Sequence, residues 1–110
     1  MDIRAFDVVL VERHKILDYL LSPVHTVGQF KAEFFQSLGY HQLLWRLLER
    51  DLRGVLANGL QAAGESDFGT KYTASGLITG PNGKQAWVLT VWIVQPATNV
   101  LRFVTAYPED

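Results

Sequence analysis

Thr79-Gly80-Pro81-Asn82-Gly83-Lys84-Gln85-Ala86-Trp87-Val88-Leu89-Thr90-Val91-Trp92-Ile93-Val94 is the stretch that decides the fold. Gly80-Pro81-Asn82-Gly83 is a turn, and Asn-Gly is a strong hairpin signal. Gln85 to Val94 is then a strand, rich in Val, Ile, Thr and Trp. Lys71 to Ile78, on the other side of the turn, is its antiparallel partner. Pro96 to Asn99 forms the next turn, and Val100 to Tyr107 the last strand. From Gly64 onward the side-chain period is two. Before Gly64 it is helical.

Three segments carry the helical period. Glu12 to Leu21 repeats Ile16, Leu17, Leu20 and Leu21, and Ser22-Pro23 stops it. Thr26 to Leu38 opens on a capping box, Thr26 with Gln29, and ends at Gly39. His41 to about Leu60 carries the stripe Leu44, Leu47, Leu48, Leu52, Val55 and Leu56, with Glu49, Arg50 and Arg53 as its solvated face. Val8-Val9-Leu10-Val11 is either a short strand or an extended lead-in. Helices first and strands after make an α+β layout. The expectation is one domain over residues 1–110. Two or three N-terminal helices (about 12–60) pack on a C-terminal antiparallel sheet of three to four strands (about 68–107).

Composition narrows the function. The 110 residues hold no cysteine, which excludes disulfides, a thiol nucleophile and thiolate metal sites. Met1 to Phe6 lacks a basic start followed by an apolar run, so no signal peptide is expected, and no run is long enough to span a membrane. These features suit the cytoplasm. Net charge is −1: residues 1–64 carry seven basic and seven acidic side chains, residues 65–110 three and four. Neither half is a basic patch, which counts against tight nonspecific nucleic-acid binding. No two histidines stand at metal spacing and no carboxylate cluster joins them, so neither a metal nor another cofactor is expected.

Lys31 is the residue out of place. Val27, Phe30, Phe34 and Leu38 form one apolar stripe, and Lys31 falls inside it. A lysine there must snorkel, pair or do chemistry. His25 lies just ahead of the same helix. A histidine titrates near neutral pH, and a lysine neutralises charge developing on a phosphate. By strand alternation, Phe103, Thr105 and Tyr107 share a face, so Thr105 and Tyr107 project two hydroxyls the same way. In the central strand, Trp87, Leu89, Val91 and Ile93 form the more apolar face, and that face is expected to meet the helices. Thr90 and Trp92, on the opposite face, and Lys71 are candidate substrate-binding residues.

Tyr19-Leu20-Leu21-Ser22, His25-x-x-Gly28-x-x-Lys31-x-x-Phe34-Phe35, Leu38-Gly39-Tyr40, Phe68-Gly69-x-Lys71-Tyr72, Thr79-Gly80-Pro81-Asn82-Gly83, Thr90-Val91-Trp92-Ile93 and Thr105-Ala106-Tyr107-Pro108 together resemble a bacterial family of small stand-alone domains of unknown function. The resemblance covers nearly the whole chain. The layout also resembles the barnase/EndoU/colicin/RelE group of ribonuclease toxins, which cleave RNA without metal. Several contact-dependent inhibition toxins of that group use a helix-side His with a Lys or Arg and a Thr-x-Tyr pair on a late strand. The near-neutral charge departs from the usual basic toxin. The second resemblance implies a metal-independent endoribonuclease, the toxin of a toxin–antitoxin pair, with RNA as transient substrate and a cognate antitoxin as partner. His25 would act as general acid or base, Lys31 would stabilise the pentavalent phosphate, and Thr105 and Tyr107 would position it. The alternative is a non-catalytic interaction domain, an antitoxin or immunity protein included, in which the same residues are structural.

Overall fold

The computed structural model describes residues 2–21 and 29–109, and for Gln29 and Phe30 the backbone alone. After a single turn of 3-10 helix, Ile3–Ala5, the chain forms β1 (Val8–Leu10), a π-helix (Lys15–Leu20), α1 (Gln29–Ser37), α2 (Trp45–Val55), β2 (Gln61–Ser66), β3 (Gly69–Thr79), β4 (Gln85–Val94) and β5 (Val100–Pro108). The fold is α+β, with its helices ahead of most of the sheet.

The sheet is larger than the period of two implies. It has five strands in the order β1-β5-β4-β3-β2, and it is mixed. β2 to β5 form an antiparallel meander, while β1 runs parallel to β5 through Val8–Val100, Val9–Leu101 and Leu10–Arg102. This corrects the expectation of three to four antiparallel strands. β1 is only three residues long, and a parallel partner so distant in sequence leaves no local turn signal. β2 is Gln-Ala-Ala-Gly-Glu-Ser, exposed along its whole length and poor in strand-forming residues, so its own sequence does not mark it.

The long helix expected over 41–60 is shorter. α2 ends at Val55, and a 3-10 turn over Leu56–Asn58 closes on Gly59, whose φ is +90°. Its buried residues Leu48, Leu52 and Val55 keep the helical spacing.

The helix-facing side of the sheet is the opposite of the expected one. Val88, Thr90 and Trp92 are fully buried, with Ala74, Leu101, Phe103 and Ala106 beside them, while Trp87 is 56% exposed. Counting apolar atoms ranks the two faces wrongly because Thr90 and Trp92 satisfy each other. The indole Nε1–H donates to Thr90 Oγ1 at 2.7 Å, and Thr90 Oγ1 donates to the Ala74 carbonyl at 2.8 Å. A paired hydroxyl and indole cost the core little, and the indole brings a large apolar body.

Two local features place the site. First, β5 bulges. Trp92 pairs Phe103 and Val91 pairs Thr105, so Val104 is an extra residue. A bulge shifts the alternation and re-aims the side chains beyond it. Phe103 therefore faces the core, while Thr105 and Tyr107 stand beside Val91 and Leu89 on the outer face. This corrects the expectation that all three share one face. Second, the β3–β4 turn clamps the end of α1. Asn82 Nδ2 donates to the Ser37 carbonyl at 3.0 Å, and the Asn82 amide donates to the Leu38 carbonyl at 3.3 Å. These bonds take carbonyls that a helix terminus leaves without partners. Gly80 makes the approach possible, because a Cβ there would lie 2.0 Å from the Leu38 oxygen.

Candidate functional site

β1 covers β5 only from Val100 to Arg102. Beyond that point no strand among the described residues pairs with β5 on this side, and the π-helix and α1 pack against β5. Lys31 and Thr105 meet along this edge. Lys31 is half-buried, as expected of a lysine on an apolar stripe. Its Nζ donates to Thr105 Oγ1 at 3.0 Å and to the Tyr19 hydroxyl at 2.7 Å. It also lies 4.9 Å from the Tyr19 ring centroid and 5.9 Å from that of Tyr107, within cation–π range of both.

The structure thus brings three sequence candidates together: Lys31, Thr105 and Tyr107. His25 lies outside the described residues. Thr90 and Trp92 are in the core, with their polar atoms paired and no surface to offer a ligand, so their assignment to substrate binding is corrected. Lys71 is exposed on the outer face, paired in register with Ile93.

Tyr19 is the member that sequence reading missed. It belongs to the π-helix, where the Leu21 amide donates to the Ile16 carbonyl five residues back at 3.0 Å. π-turns are rare and recur at functional sites. On an ordinary helical wheel, Tyr19 falls beside the Ile16 and Leu20 stripe and reads as a flank of the core. The wider turn changes where it points. The available signal was its place in the Tyr19-Leu20-Leu21-Ser22 motif.

The electrostatics of the cluster are one-sided. Arg4, Arg50, Arg53 and Arg102 each pair with a carboxylate. Among the described residues, Lys31 pairs with none. Its partners there are hydroxyls and ring faces. The Tyr19 phenol is held below the ordinary tyrosine range. The Lys31 hydrogen bond is the main cause, burial opposes it, and Thr105 adds to the lowering. Tyr40 goes the other way, raised by burial and by its 2.5 Å bond to the Asp51 carboxylate.

This gives a pH prediction. An ordinary tyrosine loses its proton near about pH 10. Folded Tyr19 loses it earlier, so the folded chain binds fewer protons than the unfolded one between the lowered value and about pH 10. Stability from this contact is fully present above the unfolded value and is lost as pH falls through the folded one. An ultraviolet titration should show an early tyrosine step that belongs to Tyr19 and a late one that belongs to Tyr40, with the early step missing in Tyr19→Phe. An early step that survives Tyr19→Phe would mean that the contact does not form in solution.

Another hollow lies away from these residues. It measures about 570 Å³ and lies between α2 and β3, lined by Arg50, Asp51, Asn58 and Thr79 among others, with no member of the Lys31 cluster. The Asp51 carboxylate there is already engaged by Tyr40 and Arg50. Among the described residues, no group of three His, Asp or Glu side chains is placed to hold a metal. Among the described residues, no helix is long and apolar enough to cross a membrane.

Residues 3–110 match the model of a domain family of unknown function, DUF6883. The chain belongs to that family. No curated protein matches it. Among solved structures it is similar to a chain of the contact-dependent growth inhibition toxin–immunity protein complex from Klebsiella pneumoniae 342. The TM-score is 0.70 at 15% identity, covering 90% of this chain and 98% of that one. At that identity the likeness is one of fold.

Proposed function

We propose that this domain is a metal-independent endoribonuclease acting as the toxin of a bacterial toxin system. The observation that carries the reading is the Lys31 ammonium, held by Tyr19 and Thr105 beside the Tyr107 ring with no carboxylate partner among the described residues. An ammonium has three donors, and these two hydroxyls take two. The third suits a phosphate oxygen. The 2′-hydroxyl of the ribose would attack phosphorus while His25 takes its proton. The bond from phosphorus to the 5′-oxygen would break, leaving a 2′,3′-cyclic phosphate. The departing oxygen would be protonated by Tyr107, or by the histidine in its acid form. Lys31 would neutralise the pentavalent intermediate, and Thr105 and Tyr107 would position it. A fold shared with a chain of a toxin–immunity complex supports a place in a toxin system, and the Lys31 cluster favours the toxin side of it, with a cognate antitoxin or immunity protein as partner.

The test is direct. Purified protein should cut RNA in the presence of EDTA and leave cyclic-phosphate ends. His25→Ala and Tyr107→Phe should each slow cutting by roughly 10²–10⁴-fold with little change in thermal stability.

The second reading, a non-catalytic interaction domain, draws on the outer sheet face, where Leu77, Trp87 and Tyr107 are exposed. RNA left intact with and without divalent metal would favour it.

A further inference from the structure

The outer sheet face carries a second built feature next to the Lys31 cluster. The β2–β3 hairpin borders a cavity of about 350 Å³ over β4 and β5. Val91, Ile93 and Val104 give it apolar walls, and Phe68, Lys71 and Glu65 also line it. Apolar walls with a few polar groups are the ordinary make-up of a small-molecule site.

The hairpin is built to hold this position. The Phe68 amide donates to Ser66 Oγ at 3.1 Å, which fixes the tip. Gly69 has φ +131°, and a Cβ there would lie 2.2 Å from the Val94 oxygen, so only glycine lets the hairpin start so close to β4. Phe68 is 77% exposed while it borders the cavity. An aromatic ring set at a cavity mouth with so little packing of its own suits a stacking partner.

The cavity adjoins the cluster by register. Val91 pairs Thr105 across β4 and β5. Directly opposed residues stand about 5 Å apart. The floor of the cavity therefore begins one strand spacing from the hydroxyl that Lys31 holds.

We infer that this cavity seats a nucleobase of the RNA whose phosphate lies at Lys31. The inference rests on the ribonuclease reading and names what that site recognises. A base has two flat apolar faces and a polar edge. Phe68 stacks on one face, as aromatic residues do with unpaired bases, and Val91, Ile93 and Val104 cover the other. Lys71 meets a flanking phosphate. The Glu65 carboxylate only accepts hydrogen bonds, so it repels phosphate from the cavity and favours a base edge bearing an amino group. Adenine, cytosine and guanine carry one. Uracil offers a single N–H between two carbonyl oxygens, which a carboxylate repels.

The test uses the full chain and the four nucleoside 3′-monophosphates, titrated into labelled protein and followed by NMR. The resonances of Phe68, Lys71 and Val91 should shift, and the three amino-bearing bases should bind more tightly than uridine. Phe68→Ala should weaken binding by roughly ten- to a hundredfold, and Glu65→Gln should erase the preference against uridine. Phe68 is mostly exposed, so its variant should melt with the parent. Saturation at these residues with RNA left uncut would keep the base site and remove the ribonuclease reading. RNA cut at the parental rate by Phe68→Ala, with no shifts at the cavity, would remove the base site and leave the ribonuclease reading standing. Equal binding of uridine would overturn the role of Glu65.

Discussion

Replacing Lys31 with methionine is expected to slow RNA cleavage by roughly 10²–10³-fold, the usual cost of removing a charge-stabilising donor, and to leave the fold at least as stable. The stability half follows from the contacts. Methionine keeps the unbranched stem on the apolar stripe of α1 and deletes only the ammonium. Tyr19 and Thr105 are each only partly buried, so water can replace the ammonium at either hydroxyl and neither is stranded. The charge that disappears had no carboxylate partner among the described residues, so no ion pair is broken. Lys31→Arg should not restore full activity, because a flat fork does not fit a position built for a compact ammonium. The same variant reports on Tyr19. Without the ammonium, the phenol should move back up toward about pH 10. Cleavage, melting and tyrosine titration can be read on one protein preparation. Loss of cleavage with an unchanged or raised melt would mean that the lysine is kept for chemistry and not for stability. Parental cleavage with a lowered melt would make Lys31 a structural residue and remove the reading built on it.

Lys31 was legible because a charge inside an apolar stripe violates a local rule, and functional sites are where local rules fail. Thr105 and Tyr107 were legible as a pair on one strand. Their meeting with Lys31 depends on features that leave no sequence mark. The bulge at Val104 sits in a run of ordinary strand residues with no glycine to announce it. β5 meets the helices along this edge because β1 stops at Leu10, and a parallel pairing of three residues across some ninety positions has no local signal. Tyr19 was missed because a π-turn and an α-turn share the same apolar spacing over six residues. α2 was readable for the opposite reason: Leu48, Leu52 and Val55 keep one period and one burial. β4 was readable as a strand, but its faces were not. Their assignment turns on whether Thr90 and Trp92 find each other, and a count of apolar residues cannot show that.

That assignment yields the largest expected effect on stability. Trp92→Ala should cost about 3–5 kcal/mol, the range for removing a large buried aromatic side chain. The indole is fully buried, meets the Phe103 ring edge-on with centroids 5.2 Å apart, and bonds Thr90. A domain of this length has about 5–15 kcal/mol in all, so the variant should be close to unfolding at room temperature. Trp92→Phe separates the contributions. It keeps most of the volume and removes the N–H, and should cost about 1–2 kcal/mol, because Thr90 Oγ1 still donates to Ala74. Trp87→Ala, five residues earlier in the same strand, should change stability by no more than about 0.5 kcal/mol, since more than half of that side chain is already in water. Denaturant melts of the three variants decide which face of β4 meets the helices. If Trp87→Ala proved costlier than Trp92→Ala, the two faces would have to be exchanged. Val91, Ile93 and Lys71 would then turn inward, and both the cavity over them and the placing of Thr105 beside it would go with them.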